Sequence, residues 1–157
     1  QPKTEVNLAI LLREIAEDAA FEAQSQNKQI QIGQCENCTV IGDVELLRSA
    51  VENVVRNALR YTVENSDVLL TLRCTEQAII TVRDQGPGVP EGELDNLFRP
   101  FYRITEARDR QSGGAGLGLA ITQRAIAAHQ GHVQARNAPD GGLEVEIRLP
   151  VLPIAGH

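Results

Sequence analysis

Aromatic residues are scarce. They make up 3% of the 157 residues, and there is no tryptophan or methionine. A core must therefore come from Leu, Ile, Val and Ala. No apolar run approaches the roughly 20 residues of a membrane span, and Gln1-Pro2-Lys3-Thr4 has no signal-peptide pattern; it reads as the cut edge of a longer chain. An excess of basic charge is missing too: the formal net charge is -6 and the pI about 5.1. That argues against a nucleic-acid footprint, which needs a basic face. The three cysteines, Cys35, Cys38 and Cys74, are too few and odd in number for a disulfide framework. They fit a reducing cytosol. Cys35-Glu36-Asn37-Cys38 is a C-x-x-C, but a zinc site wants about four ligands and no second pair has matching spacing. It reads as a turn between strands.

What remains is ordinary for one soluble domain, with 42% hydrophobic and 23% charged residues. Residues 1–157 are expected to form a single domain cut from a longer protein. Behind a candidate cap at Asn7, apolar residues recur at helical spacing to about Gln26. "QIQIG" and "CTVIG" alternate like short strands. Asp43 caps a second helix with Leu47, Ala50, Val51, Val54, Val55 and Ala58 on one face. "DVLLTLRCT" and "AIITVRD" read as neighbouring strands, "GELDNLF" as a short helix, and Tyr102–Gly116 as a long polar lid. A third helix runs from Leu117 to Gln130, closed by Gly131, before a hairpin about Pro139-Asp140-Gly141-Gly142. The pattern predicts an α/β two-layer sandwich, with three main helices on a mixed five-stranded sheet.

Three polar features stand out. Asn53, Asn57 and Arg60 follow one another at steps of four and three along the second helix, making one polar stripe. A carboxamide oxygen is a hard neutral ligand suited to Mg²⁺, although a solvated face would look the same. Asp84 ends a strand and enters Gly86-Pro87-Gly88, either a plain turn or a carboxylate placed to accept from an exocyclic amine. Ser112–Ala120, "SGGAGLGLA", opens a helix without the Lys-Ser or Lys-Thr of a Walker A loop and without a strand just before it. It reads as a glycine hinge with helix N-terminal amides facing an anion.

These elements in this order resemble the catalytic ATP-binding domain of bacterial sensor histidine kinases, of the superfamily that includes DNA gyrase B, MutL and a heat-shock chaperone. The resemblance lies in four boxes: Asn53 to Tyr61, Asp84 to Gly88, Phe98 to Arg103, and Gly114 to Leu119. "FRPFYR" and "ARDRQSGG" are similar in wording to Cpx-type envelope-stress sensor kinases. The resemblance implies a Bergerat-type fold that binds ATP with Mg²⁺ on Asn57. It implies that Asp84 binds the adenine amino group beside Gly86 and Gly88, and that Arg60 and Tyr61 border the nucleotide. Gly114, Gly116 and Gly118, with Leu117 and Leu119 of the same box, would flank the triphosphate, and Arg103 would face the γ-phosphate or the acceptor domain. Hydrolytic superfamily members carry a water-activating Glu where this chain has Asn53. Catalysis is thus expected to use Asn53, Arg60 and Arg103 for phosphoryl transfer and not for hydrolysis. Leu143 stands where the family often has Ser or Thr, and its strand is assigned no catalytic role.

The implied acceptor is a histidine on a separate helical hairpin of the same parent protein, which then passes the phosphoryl group to a response regulator. None of His129, His132 and His157 is followed by an acidic residue, and His129 reads as a surface or capping residue. The parent is expected to be a homodimer in the bacterial inner membrane. This domain would lie in the cytoplasm, monomeric alone and without nucleic-acid partners. A stand-alone ATPase and a nucleotide-sensing or anti-sigma module are the rival readings. Asn53 speaks against the first. Against the second stand the phenylalanine box and the intact Asn57 and Asp84.

Overall fold

The computed structural model describes residues 3–100 and 118–152. The expected lid, together with Arg103, Gly114, Gly116 and Leu117, lies outside the described residues. Strand β1 (Thr4–Asn7) leads into helix α1 (Leu8–Ser25), then β2 (Gln29–Cys35), β3 (Thr39–Gly42) and helix α2 (Val44–Tyr61). There follow β4 (Asp67–Cys74), β5 (Gln77–Arg83), a 3-10 helix (Glu91–Phe98), α3 (Gly118–Ala127), β6 (His132–Asn137) and β7 (Leu143–Pro150). The main sheet has five strands in the order β2-β4-β5-β7-β6. The β2–β4 pair is parallel and the others antiparallel, so the expected mixed sheet is present. "CTVIG" is a strand but pairs with β1, a partner that sequence periodicity does not reveal in so short a segment.

The helices cover one face. Val68, Leu70, Leu72, Ile80, Val82, Val145, Ile147 and Leu149 point from the sheet into an aliphatic core shared with Leu12, Ile15, Leu47, Val54 and Ile126. Sequence alternation in β4 and β7 follows from this one-sided burial. Both expected caps form: Asn7 Oδ1 accepts from Ile10 N, and Asp43 Oδ1 accepts from Glu45 N and Leu46 N. No helix among the described residues is long and apolar enough to cross a membrane.

Three expectations need correction. Helix α3 ends at Ala127, and the left-handed residue after it is Gln130 (φ 59°), not Gly131. Gly131 is needed for closeness instead, since a Cβ there would sit 2.3 Å from Arg148 O. His129 is buried and not superficial: Nδ1 pairs with Ala125 O (2.7 Å), and Nε2 accepts from Asp43 N (3.0 Å). The ring ties the end of α3 to the start of α2. The cysteines, too, are not all free thiols. Cys38 is bonded to Cys74 with Cα atoms 5.6 Å apart, while Cys35 is free. The C-x-x-C is therefore not a zinc pair. Sequence spacing does not determine cysteine connectivity, and only the meeting of the β2–β3 turn with the end of β4 makes this pair. A bond across a sequence separation of 36 limits the unfolded chain by about 4 kcal/mol in the chain-entropy picture.

Among the described residues, the open face of the sheet carries one buried charge. Glu146 is 3% exposed; Oε1 pairs with Arg136 (2.8 Å) and Oε2 with Arg148 (2.6 Å). Burial works against ionisation, but the hydrogen bonds from Arg148 and Arg136 outweigh it and hold the carboxyl below its ordinary value of 4.5. A depressed value means stability present above that ordinary value and lost as pH falls through the depressed one. Glu146→Gln is expected to cost about 2 kcal/mol near neutrality, the scale of hydrogen bonds to a charged group. Urea unfolding should show the gap to the wild type closing in acid. A gap that stays constant down to about pH 3 would show that ionisation of Glu146 contributes nothing.

Candidate functional site

The polar residues singled out in the sequence gather around the C-terminal half of α2. Asn53 and Asn57 are half-buried and Arg60 is exposed on one stripe, with Tyr61 buried at the helix end. Among the described residues neither carboxamide has a hydrogen-bonding partner within the protein. Gly118, the first described residue of α3, lies against Asn53: a Cβ there would be 3.9 Å from the Asn53 Cβ. The last glycine of the box therefore lies beside the asparagine stripe. Leu119 is buried in the core, so only its backbone can serve a ligand at this place. Thr122, fully buried, donates to Ala50 O (2.8 Å) and lies 3.2 Å from Gly118 O, which fixes the start of α3 on α2.

Glu52 takes a different direction. It lines a groove between α1 and α2 with Ile15, Asp18, Ala19, Glu22 and Arg56. It does not share the face of Asn53 and Asn57, as a rotation of about 100° per residue requires.

Asp84 sits at the end of β5 and is 1% exposed. Its Oδ1 accepts from Gly86 N (2.9 Å) and Leu143 N (3.1 Å), and its own amide donates to Leu143 O (3.0 Å). The carboxylate is thus held at the junction of two strands. A buried carboxylate is tolerable only when hydrogen-bonded. The glycines around it are steric requirements. A Cβ at Gly86 would fall 2.3 Å from Tyr61 O, which presses the Asp84 turn onto the end of the asparagine helix. Gly88 (φ 74°) lies against Asn137.

Four contributors were not evident from sequence. Thr62 Oγ1 accepts from Gln85 N (2.9 Å) and fastens the turn to the residue after α2. Asn137 accepts from Val89 N (2.9 Å) and donates to Val89 O (2.7 Å), imitating a strand partner for the loop after Gly88. Leu143 acts through its amide, which any residue type except proline would supply. Gly142 (φ 89°) leaves room for Asp84: a Cβ there would be 2.0 Å from Asp84 O. Of these, only Gly142 carried a signal, and it read as hairpin chemistry.

Among the described residues no group of three or more His, Cys, Asp or Glu is arranged to hold a metal. A Mg²⁺ ion here would have to take Asn57 and the ligand's own oxygens. That suits an ion that usually keeps waters and substrate phosphates in its shell.

A family model described as "Histidine kinase-, DNA gyrase B-, and HSP90-like ATPase" matches residues 42–153. The chain is 44% identical over 142 residues to the sensor histidine kinase CpxA of Escherichia coli (strain K12), covering 90% of this chain and 31% of that protein. It is 35% identical over 151 residues to the signal transduction histidine-protein kinase BaeS of the same strain, covering 95% of this chain and 32% of that protein. The chain thus spans about a third of the length of these curated relatives. Among solved structures, the mycobacterial sensor histidine kinase MprB superposes with a TM-score of 0.83 at 26% identity, covering 96% of this chain and 99% of that one. Full-length ShkA in complex with AMPPNP gives 0.83 at 29% identity, covering 98% of this chain and 32% of that one.

The clamp around Asp84 yields a paired test. Gly141 (φ 103°) and Gly142 (φ 89°) both have left-handed backbone, but a Cβ at Gly141 would meet nothing within 4 Å. Gly141→Ala is expected to cost about 1 kcal/mol of unfolding free energy, for the backbone alone. Gly142→Ala should cost at least about 2 kcal/mol more, because it also drives a methyl group into Asp84 O. Denaturant unfolding measures both; equal losses would mean that Gly142 is not holding space for Asp84.

Proposed function

Because the chain belongs to the histidine kinase-, DNA gyrase B- and HSP90-like ATPase family, we propose that it is the catalytic ATP-binding domain of a two-component sensor histidine kinase. It binds Mg²⁺-ATP and delivers the γ-phosphoryl group to a histidine on a separate helical domain of the same parent. That histidine then phosphorylates a response regulator. The parent is a homodimer anchored in the bacterial inner membrane, with this domain on the cytoplasmic side. The observation that carries the reading is the meeting of Asn53 on α2 with Gly118 at the start of α3. It supports a site that combines neutral carboxamide oxygens with helix N-terminal amides, the combination that a metal-bound polyphosphate needs.

Each residue has a separate task in this account. Asp84 accepts from the adenine amino group, oriented by the amides of Gly86 and Leu143. Gly86 and Gly88 keep side chains away from the base. Asn57 holds Mg²⁺, which supplies charge neutralisation for the phosphates. Arg60 and Tyr61 border the nucleotide, and Arg103 with Gly114, Gly116 and Gly118 attends to the phosphates. Asn53 occupies the position where a water-activating carboxylate would stand, and it lacks a basic oxygen. Catalysis is then mostly positioning and charge stabilisation.

The similarity to the histidine kinases CpxA and BaeS supports the transfer reading over a free-standing ATPase. Labelled ATP decides between them. The isolated chain should bind ATP, release phosphate negligibly and carry no acid-labile label. Adding the parent's histidine hairpin should produce a phosphohistidine in trans. Asn57→Ala should weaken Mg²⁺-ATP at least about tenfold, while metal-free nucleotide loses little. Rapid phosphate release by the chain alone would replace the kinase reading with that of an ATPase. Equal losses with and without Mg²⁺ would remove the metal from Asn57.

A further inference from the structure

The cysteines lie at the end of the sheet where β2 stops and β4 stops. Residues that pair across β2 and β4 share a face: Ile30 with Val68, Ile32 with Leu70, and Cys35 with Leu72. Strict alternation from Ile32 would send Cys35 to the open face. A register shift between Ile32 and Cys35 adds one residue and turns Cys35 back to the helix side. Cys74 follows Leu72 by two residues in β4 and therefore lies on that same side. Both Cys35 and Cys74 pack partly buried against the core, and Cys38, their neighbour in the turn, is 4% exposed. The turn is fastened to β4 by Glu36 N donating to Leu72 O (3.0 Å) and by Glu36 Oε1 accepting from Cys74 N (2.7 Å). Three sulfurs thus share one face at one end of the sheet, two bonded and one free.

We infer that Cys35, Cys38 and Cys74 form a thiol–disulfide redox site that reacts with small thiols and disulfides of the glutathione type, with Cys35 as the exchanging thiol. Cys38 is the shared centre. Its bond to Cys74 closes the segment that contains all of α2, while the C-x-x-C spacing allows it to bond to Cys35 instead. In the exchange, the Cys35 thiolate attacks Cys38 Sγ. The Cys35–Cys38 bond forms as the Cys38–Cys74 bond breaks. The electron pair leaves on Cys74 Sγ, and the proton lost by Cys35 is taken up there. No net oxidation occurs. Making the first disulfide from three thiols removes two electrons and two protons, which reduce one oxidised glutathione to two thiols. The regulatory meaning rests on the proposed function: a domain working on ATP in a reducing compartment has little use for a permanent disulfide, and disulfides there are usually transient or redox-sensing.

The test uses the 157-residue chain, the glutathione couple and peptide mapping after acid quench and thiol alkylation. Excess oxidised glutathione should remove two thiols and link Cys38 to Cys74. Longer incubation near pH 8 should add a Cys35–Cys38 population with an alkylatable Cys74. Cys35→Ser should keep the Cys38–Cys74 link and leave Cys74 closed to alkylation throughout the longer incubation, while the wild type opens it. Cys74→Ser should form Cys35–Cys38 directly. A wild type whose Cys74 stays as closed to alkylation as in Cys35→Ser would overturn the exchange role. Glutathione held on Cys35 alone, with Cys38 and Cys74 both alkylatable, would overturn the site. Mapping needs no nucleotide, so a parallel titration with a fluorescent ATP analogue keeps failure of this proposal distinct from failure of the ATP reading.

Discussion

The carboxylate of Asp84, buried at the end of β5 and held by two backbone amides, sets conditions that much of the surrounding chain has to meet. One amide comes from Gly86 in its own turn and the other from Leu143 at the start of β7. The second exists only because β5 and β7 are in register, with Arg83 opposite Glu144. Space for the carboxylate demands a glycine at 142 and another at 86, where the turn closes on Tyr61. A hairpin, a strand pair and a helix end thus converge on one acidic group. Leaving it without partners would cost more than a typical hydrogen bond returns.

The helix layer meets a second condition, which is to keep α3 in place on α2. Apolar packing by Val54, Ala58, Leu119 and Ile126 holds the helices together but sets their sliding position poorly. Two polar contacts define it. Thr122 bonds Ala50 O near the glycine box, and His129 bonds Asp43 N at the opposite end. Gly42 is tied to this arrangement, since a Cβ there would lie 2.5 Å from the His129 ring. In the proposed function this register keeps the start of α3 beside Asn53.

Much of this was legible in the sequence because it is local. The caps at Asn7 and Asp43, the helical spacing through α1 and α2, and the alternation of β4 and β7 each follow from a few neighbouring residues. Asn53, Asn57 and Arg60 were legible as one stripe of a helix, and Asp84 as the end of a strand. What escaped was what depends on pairing at a distance. β1 is four residues long and is defined by β3, more than thirty positions away. The Cys38–Cys74 bond depends on two sheets meeting, and counting cysteines argued against it. His129 resembled a surface residue because its partners, Ala125 O and Asp43 N, are backbone atoms that no side-chain pattern marks. Leu143 is the sharpest case. Its side chain departs from the family's usual hydroxyl residue, yet its amide holds Asp84.

The central claim is that the clamped Asp84 carboxylate reads the amino group of adenine. The most direct measurement is calorimetric titration of ATP against inosine triphosphate, which differs by presenting an oxygen acceptor where ATP presents the amine. A site built round that hydrogen bond would face acceptor with acceptor, so inosine triphosphate should bind at least about 100-fold more weakly. Affinities within threefold of each other would contradict the account, and the base would then have to be recognised by some group other than Asp84.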